Sequence, residues 1–382
     1  MLSIEHQLAK KVDFKECIND ISTKTTGLFI SILYYFIEYV NIVFCSDSLF
    51  LDGNQPLLSL RSLNASREGE DVTFFIIHGL ADLAGHRMIF FSILLLVYVI
   101  ILGGNSLIIF VTVTDPKLRS PMYFFLYNLS FVDMLFTSSI IPNMLAGFLM
   151  DQLTISFNGC FLQMFFFINL SVTGRAILTV MAYDRYLAIC NPLRYTAIMT
   201  RPVQVLLVVG AWGFGALCPL PATTMALQQR YCGPNVIRHG WCDPSSLRRL
   251  VCADSSVDNI VSLAFALVAL LSTGILILTS YILIFVTMSS MAVTQRLKAL
   301  ATCTAHLTVV SFSYSAASFI YISYRVRDVR IIVSVLYSAL TPFLNPIVYS
   351  LRNKDLQDAI RRIGLRLHLV VLSAPRSIQT GI

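Results

Sequence analysis

Seven stretches of roughly 20 or more mainly apolar residues dominate this chain, over 89–113, 122–147, 158–183, 203–225, 257–286, 297–322 and 330–350. Water is absent from a bilayer core, so a segment crossing it must satisfy every backbone N–H and C=O internally. Only helices and closed barrels do so. The runs are continuous rather than alternating, which predicts helices. Only 13% of residues are charged and 56% are hydrophobic, against about 25% charged in an ordinary soluble domain. The expectation is an all-α membrane protein, a seven-transmembrane helix bundle over 89–351. Transporter-type repeats and matching broken half-helices are not evident.

Basic residues set the expected orientation. Lys117 and Arg119, Arg194 and Arg201, and Arg296 and Lys298 fall in three loops on one side, and the segment 352–382 adds Arg352, Lys354, Arg361, Arg362 and Arg366. The opposite loops carry arginines too, among them Arg230, Arg238 and Arg327, so the bias is moderate; it favours a cytoplasmic tail. Residues 64–88 are then extracellular, where Asn64-Ala65-Ser66 forms a glycosylation acceptor at Asn64. Residues 1–63 fit less easily. An apolar stretch at 27–45 follows Lys10, Lys11, Lys15 and Lys24, and three readings stay open: a cleaved signal, a retained anchor, or an extension foreign to the natural protein. The net charge of +7 sits beside spans rather than in a basic run, which points to anionic lipid and not to nucleic acid.

Several spans carry polar groups that hydrocarbon penalises. Asn105 lies in the first span and Asp133 in the second; an acid at mid-bilayer costs about 2.5–3.5 kcal/mol or more. The seventh holds Asn345, Pro346 and Tyr349. A proline inside a helix frees a carbonyl that such groups can use. They predict one polar network, either purely structural or functional. At the end of the third span Asp184 and Arg185 stand side by side, an acid and base able to pair in one state and separate in another. Arg175 is a cation within that span. It has three open readings: a pair with Asp133, a ligand-facing anchor, or a side chain reaching backbone carbonyls. No nucleophile motif, phosphate loop or metal-spaced Cys/His cluster occurs, so neither enzyme, cofactor nor metal site is expected.

Met181-Ala182-Tyr183-Asp184-Arg185-Tyr186-Leu187-Ala188-Ile189-Cys190 resembles the third-helix signature of the odorant receptors, rhodopsin-like G-protein-coupled receptors. Leu118 to Leu126, Ser280-Tyr281, Lys298 to Leu307 and Pro342 to Asn353 are similar to further signatures in family order, over about residues 64–366. There are departures: Arg119 stands where the family has His, Ala301 and Ala305 replace serines, and Gly174 replaces a Glu.

The resemblance implies disulfides Cys160–Cys242 and Cys232–Cys252. It implies a ligand pocket from Phe167, Ile168, Ser171 and Val172 on the third helix, Phe265 and Ala269 on the fifth, and Tyr314, Ala317, Ser318 and Tyr321 on the sixth. It assigns switching and G-protein coupling to Asp184, Arg185, Tyr186, Tyr281, His306, Asn345, Pro346 and Tyr349. Asn353 to Arg366 reads as an amphipathic helix on the inner leaflet. The implied activity is odorant-driven activation of the olfactory stimulatory G protein at the plasma membrane, raising cyclic AMP. A transporter or channel using Asp133 and Arg175, and a non-functional receptor relic, are the alternatives.

Overall fold

The computed structural model describes residues 72–78, 87–150, 153–232, 235–253, 256–322 and 327–373. Asn64 and the whole of 1–63 lie outside the described residues.

The long helices follow the apolar runs. They are α1 (Arg87–Thr114), α2 (Pro121–Leu149), α3 (Phe157–Cys190), α4 (Arg201–Leu227), α5 (Ser256–Ser289), α6 (Val293–Ile322), α7 (Arg327–Arg352) and α8 (Lys354–Ser373). Of these, α1 to α5 are long and apolar enough to cross a membrane by themselves. Local chemistry sets the starts. Pro121 opens α2 after an extended Ser120, where a missing N–H costs nothing. The Ser156 hydroxyl accepts from Gly159 N at 3.2 Å and caps α3, and Asn353 Oδ1 accepts from Leu356 N at 3.1 Å to cap α8. The fourth run contains a break the apolar pattern hid: α4 is helical over Arg201–Leu217 and again over Leu220–Leu227. Pro219 and Pro221 lack the amides that would carry the first segment onward.

In the bundle α3 is central, packing against α2, α4, α5 and α6, while α7 closes the ring against α1 and α6. The least buried helices, α1 and α5, are also among the most apolar, whereas α2 is mostly buried. This is the pattern expected where lipid, not water, surrounds the protein. Small residues allow close crossings. A Cβ at Gly104 would stand 3.0 Å from Pro346, joining α1 to α7, and one at Gly215 would collide with Thr173 across the α3–α4 crossing.

One end of the bundle is covered by a three-stranded sheet ordered β2–β1–β3. Here β1 (Phe74–Ile77) pairs antiparallel with β2 (Leu153–Ser156), Phe74 opposite Ser156, and parallel with β3 (Val236–Ile237). Phe75, Ile77, Ile155, Phe161 and Ile237 form an apolar core under it. At the other end α8 folds back on the bundle, burying Leu356 and Ala359. Arg362 Nη2 contacts Asp115 at 2.6 Å in the turn between α1 and α2, and the Tyr123 hydroxyl donates to Asn353 Oδ1 at 3.0 Å.

Candidate functional site

The tail end of α3 concentrates the switch residues. Neighbours in sequence point to different sides of a helix, yet the long Arg185 side chain curls back onto Asp184. Its Nε and Nη2 donate to Asp184 Oδ2 at 3.2 and 2.5 Å. The other oxygen of this fully buried carboxylate accepts from the Tyr195 hydroxyl at 2.7 Å. Tyr195 belongs to a short helix, Pro192–Ile198, that follows α3. Burial, then the bond to Asp184, pushes its phenol well above the ordinary value, so it remains a donor.

Two turns deeper, His306 of α6 links three helices. The Leu178 carbonyl, an acceptor only, lies 3.0 Å from Nε2, and the Tyr281 hydroxyl lies 2.7 Å from Nδ1. A neutral ring protonated at Nε2 satisfies both bonds. Tyr186 packs beside them with Tyr281, Ile284 and Cys303. Tyr349 of α7 is buried, and its hydroxyl has no partner among the described residues.

In mid-bundle, Asn345 Nδ2 donates to Asp133 Oδ2 at 2.6 Å, and Asn105 Nδ2 donates to the carbonyls of Ile101 and Pro342 at 2.9 and 3.1 Å. The polar groups thus form two neighbouring ties, α2 to α7 and α1 to α7, rather than one continuous chain. Asp133 and Arg175 do not make a direct ion pair. Instead Arg175 Nη1 donates to Ser171 Oγ at 3.0 Å, one turn back along α3, where a side chain at i−4 is in natural reach. Both charges line one small pocket, whose described walls come from α2, α3, α6 and α7.

At the sheet end, Cys160 is bonded to Cys242 and Cys232 to Cys252, with Cα separations of 5.4 and 5.1 Å. Gln163 reinforces the first bridge: its Oε1 accepts from Cys242 N at 3.1 Å and its Nε2 donates to the Ser139 carbonyl at 2.8 Å. Sequence reasoning did not single out Gln163. Its signal was an amide nearly two turns inside an apolar helix, close after Cys160.

The residues expected to hold ligand are dispersed. Phe167 stacks between Phe136 and Trp241, its ring centroid 5.4 Å from each, and Ile168 packs between two apolar clusters. Val172 and Ala269 bury each other against Cys218. Phe265 is 37% exposed. The Tyr314 hydroxyl donates to Thr273 Oγ1 at 2.7 Å, tying α6 to α5. Among the described members of the set, Ser171 is the one that lines the pocket. The side chains of Ala317, Ser318 and Tyr321 lie outside the described residues.

A family profile described as olfactory receptor matches residues 94–366. The chain is 37% identical to human olfactory receptor 13C2 over 309 residues, covering 78% of this chain and 97% of the relative. It is 40% identical to human olfactory receptor 6N1 over 295 residues, 76% and 95% of the two chains. Human olfactory receptor 2K2 is likewise 40% identical over 303 residues, 78% and 96%.

Proposed function

This chain belongs to the olfactory receptor family, and we propose that it senses a small lipophilic or volatile molecule within the bundle and activates a stimulatory G protein, raising cyclic AMP. As a family member it is a multi-pass plasma-membrane receptor of the G-protein-coupled type and not an enzyme. In the proposed orientation the sheet end faces outside, and the tail end, with α8 on the inner leaflet, faces the cytoplasm.

One observation carries the coupling assignment. Arg185 is held by Asp184, and Asp184 is held in turn by Tyr195. These are reversible bonds at the end where a G protein would dock, and they restrain a cation that a docking partner can use. Ligand would act by population shift: contacts made better in one arrangement favour it by their differential free energy. In the favoured arrangement the tail end of α6 moves away from α3, the Tyr281–His306–Leu178 tie is rebuilt, and Arg185 leaves Asp184.

Arg185→Ala tests this in cells carrying a cyclic AMP reporter, with surface receptor counted in parallel. The expected outcome is loss of ligand-driven cyclic AMP with surface receptor largely retained. Full signalling by the variant would remove Arg185 from the coupling role.

A further inference from the structure

The turn between α5 and α6 carries a cap that crosses from one helix to the other. The last four carbonyls of a helix have no partner inside it, and at the end of α5 all four are filled. Ser289 Oγ donates to the Val286 carbonyl at 2.7 Å, and Ser290 Oγ to the Thr287 carbonyl at 2.8 Å. Arg296 reaches the other two. Its Nε donates to the Met288 carbonyl at 3.0 Å and its Nη2 to the Ser289 carbonyl at 2.8 Å, with the Met291 carbonyl 3.4 Å from the same nitrogen.

The position of Arg296 is informative because it is wrong for its own helix. It lies in the first turn of α6, where the positive end of the helix dipole disfavours a cation. The negative end of α5 is what favours it. Nε and Nη2 form one edge of a planar guanidinium, so the two bonds fix its plane as well as its distance. Three residues, 290–292, join the helices, and the guanidinium clamps the exit of that turn onto its entry. The same last turn of α5 also touches α3. Cys190 Sγ donates to Thr287 Oγ1 at 3.2 Å, and Ile284 and Met288 are buried with Cys303 beside Tyr186 and Ile189.

We propose that Arg296 is a positioning residue for coupling: its cap makes the tail ends of α5 and α6 one rigid corner, so that the outward swing of α6 carries α5 with it. The proposal rests on reading the chain as G-protein-coupled, and adds the side chain that makes two helices move as one. Without the cap, the Met288 and Ser289 carbonyls turn to water, the last turn of α5 frays, and α6 swings alone. The G protein then meets a corner of variable shape. A cation needed only for its charge would act equally well as lysine. A fork laid across two carbonyls would not, because an ammonium is a point charge with no fixed plane.

The test pairs a spectroscopic readout with signalling, using full-length receptor. Electron spin resonance in nanodiscs follows labels at Phe285 on α5, Leu300 on α6 and Leu193 beyond α3, all exposed positions. It compares wild type, Asp184→Asn, Arg296→Ala and Arg296→Lys. The Phe285–Leu300 distance should keep one narrow distribution in wild type and in Asp184→Asn, to within the roughly 1–2 Å of an interface adjustment. Both Leu193 distances should lengthen together in Asp184→Asn. Arg296→Ala and Arg296→Lys should each broaden the Phe285–Leu300 distribution. In cells, both should lower maximal ligand-driven cyclic AMP at least about threefold per surface receptor, the factor for one lost hydrogen bond. Unbroadened Phe285–Leu300 distances in Arg296→Lys would overturn the proposal. So would full signalling by Arg296→Lys, which would leave Arg296 a charge and not a clamp. Arg296→Lys retains the charge and the bulk, so the test stands even where Arg296→Ala fails to fold. Leu193 distances that do not change in Asp184→Asn would instead refute the switch reading, and the corner would be judged by the Arg296→Lys distribution, which needs neither ligand nor G protein.

Discussion

The two ends of the bundle are held together by different kinds of bond. At the sheet end, a disulfide spanning 82 residues ties α3 to the long loop after α4, and a second closes 20 residues within that loop. Strand pairing and an aromatic cluster around Phe75, Phe157 and Tyr231 add to them. At the tail end no covalent tie is found among the described residues. Asp184, Arg185, Tyr195, Tyr281 and His306 hold α3, α5 and α6 through individual hydrogen bonds. A covalent end keeps its geometry whatever the other end does. An end held by exchangeable bonds can reach a second arrangement without breaking a covalent bond, which is what the proposed switch requires.

The comparison breaks first at the disulfide. Closing a loop of that length is worth about 4–5 kcal/mol in the chain-entropy model. Cys160→Ser or Cys242→Ser should therefore abolish surface delivery, scored by antibody staining of intact cells. Normal staining of both variants would mean that the sheet and aromatic core hold that end unaided.

A smaller effect is expected at Asp184. Asp184→Asn removes the charge that restrains Arg185 while leaving a side chain of the same shape. Weakening the restrained state by about 1.4 kcal/mol shifts the equilibrium tenfold, so ligand-free cyclic AMP should rise by roughly that factor until the response saturates. Basal signalling that stays at the wild-type level would mean that the ion pair is not what holds the resting arrangement.

Tyr195→Phe should act in the same direction and less strongly. It deletes one hydrogen bond, worth about 1 kcal/mol, and leaves the Arg185 contact in place. An increase in basal activity of about fivefold, below that of Asp184→Asn, is the expected order, and a reversal would put the restraint at Tyr195 rather than at Arg185.

The smallest effect belongs to the Asp115–Arg362 contact that docks α8. The Arg362 hydrogen bond, followed by the Lys117 backbone N–H, holds the Asp115 carboxyl below its usual value. A depressed acid stabilises the fold above its unfolded value, near 4, and that contribution is lost as pH falls through the lower folded value. The protection of α8 amides, after correction for the intrinsic pH dependence of exchange, should be constant across neutral pH and fall only in acid, and Asp115→Asn should abolish that acid dependence. Acid sensitivity of equal size in the variant would assign it to another group.

What the sequence made legible follows from the strength of each constraint. A bilayer demands long apolar helices, so the spans could be read within a few residues of Arg87–Thr114 and its successors, except that α3 runs on past 183 to Cys190. Asp184 and Arg185 were visible because their relation is adjacency. Contacts that depend on how helices rotate against one another were not. That Asp133 meets Asn345 while Arg175 turns to Ser171 is fixed by packing around α3, and no spacing along one helix encodes it. The β1 strand was hidden for another reason: Phe74–Ile77 is four residues long and finds partners at Leu153–Ser156 and Val236–Ile237, far along the chain. Cysteine spacing alone left the disulfide pairing open; the family resemblance supplied it. The Cys218–Pro219 break in α4 could have been read from the closely spaced Pro219 and Pro221, a signal that the length of the apolar run masked.

The difference between the ends is open to one direct measurement. Pulsed electron spin resonance can follow two label pairs in nanodisc-embedded receptor, one at Leu193 and Leu297 at the tail end and one at Leu149 and Val257 at the sheet end, all solvent- or lipid-exposed positions. Wild type would be compared with Asp184→Asn, so that no ligand is required. The account predicts that the Leu193–Leu297 distance lengthens by more than about 2 Å, beyond a simple interface adjustment, while the Leu149–Val257 distance stays unchanged. A sheet-end distance that shifts while the tail-end distance does not would contradict it.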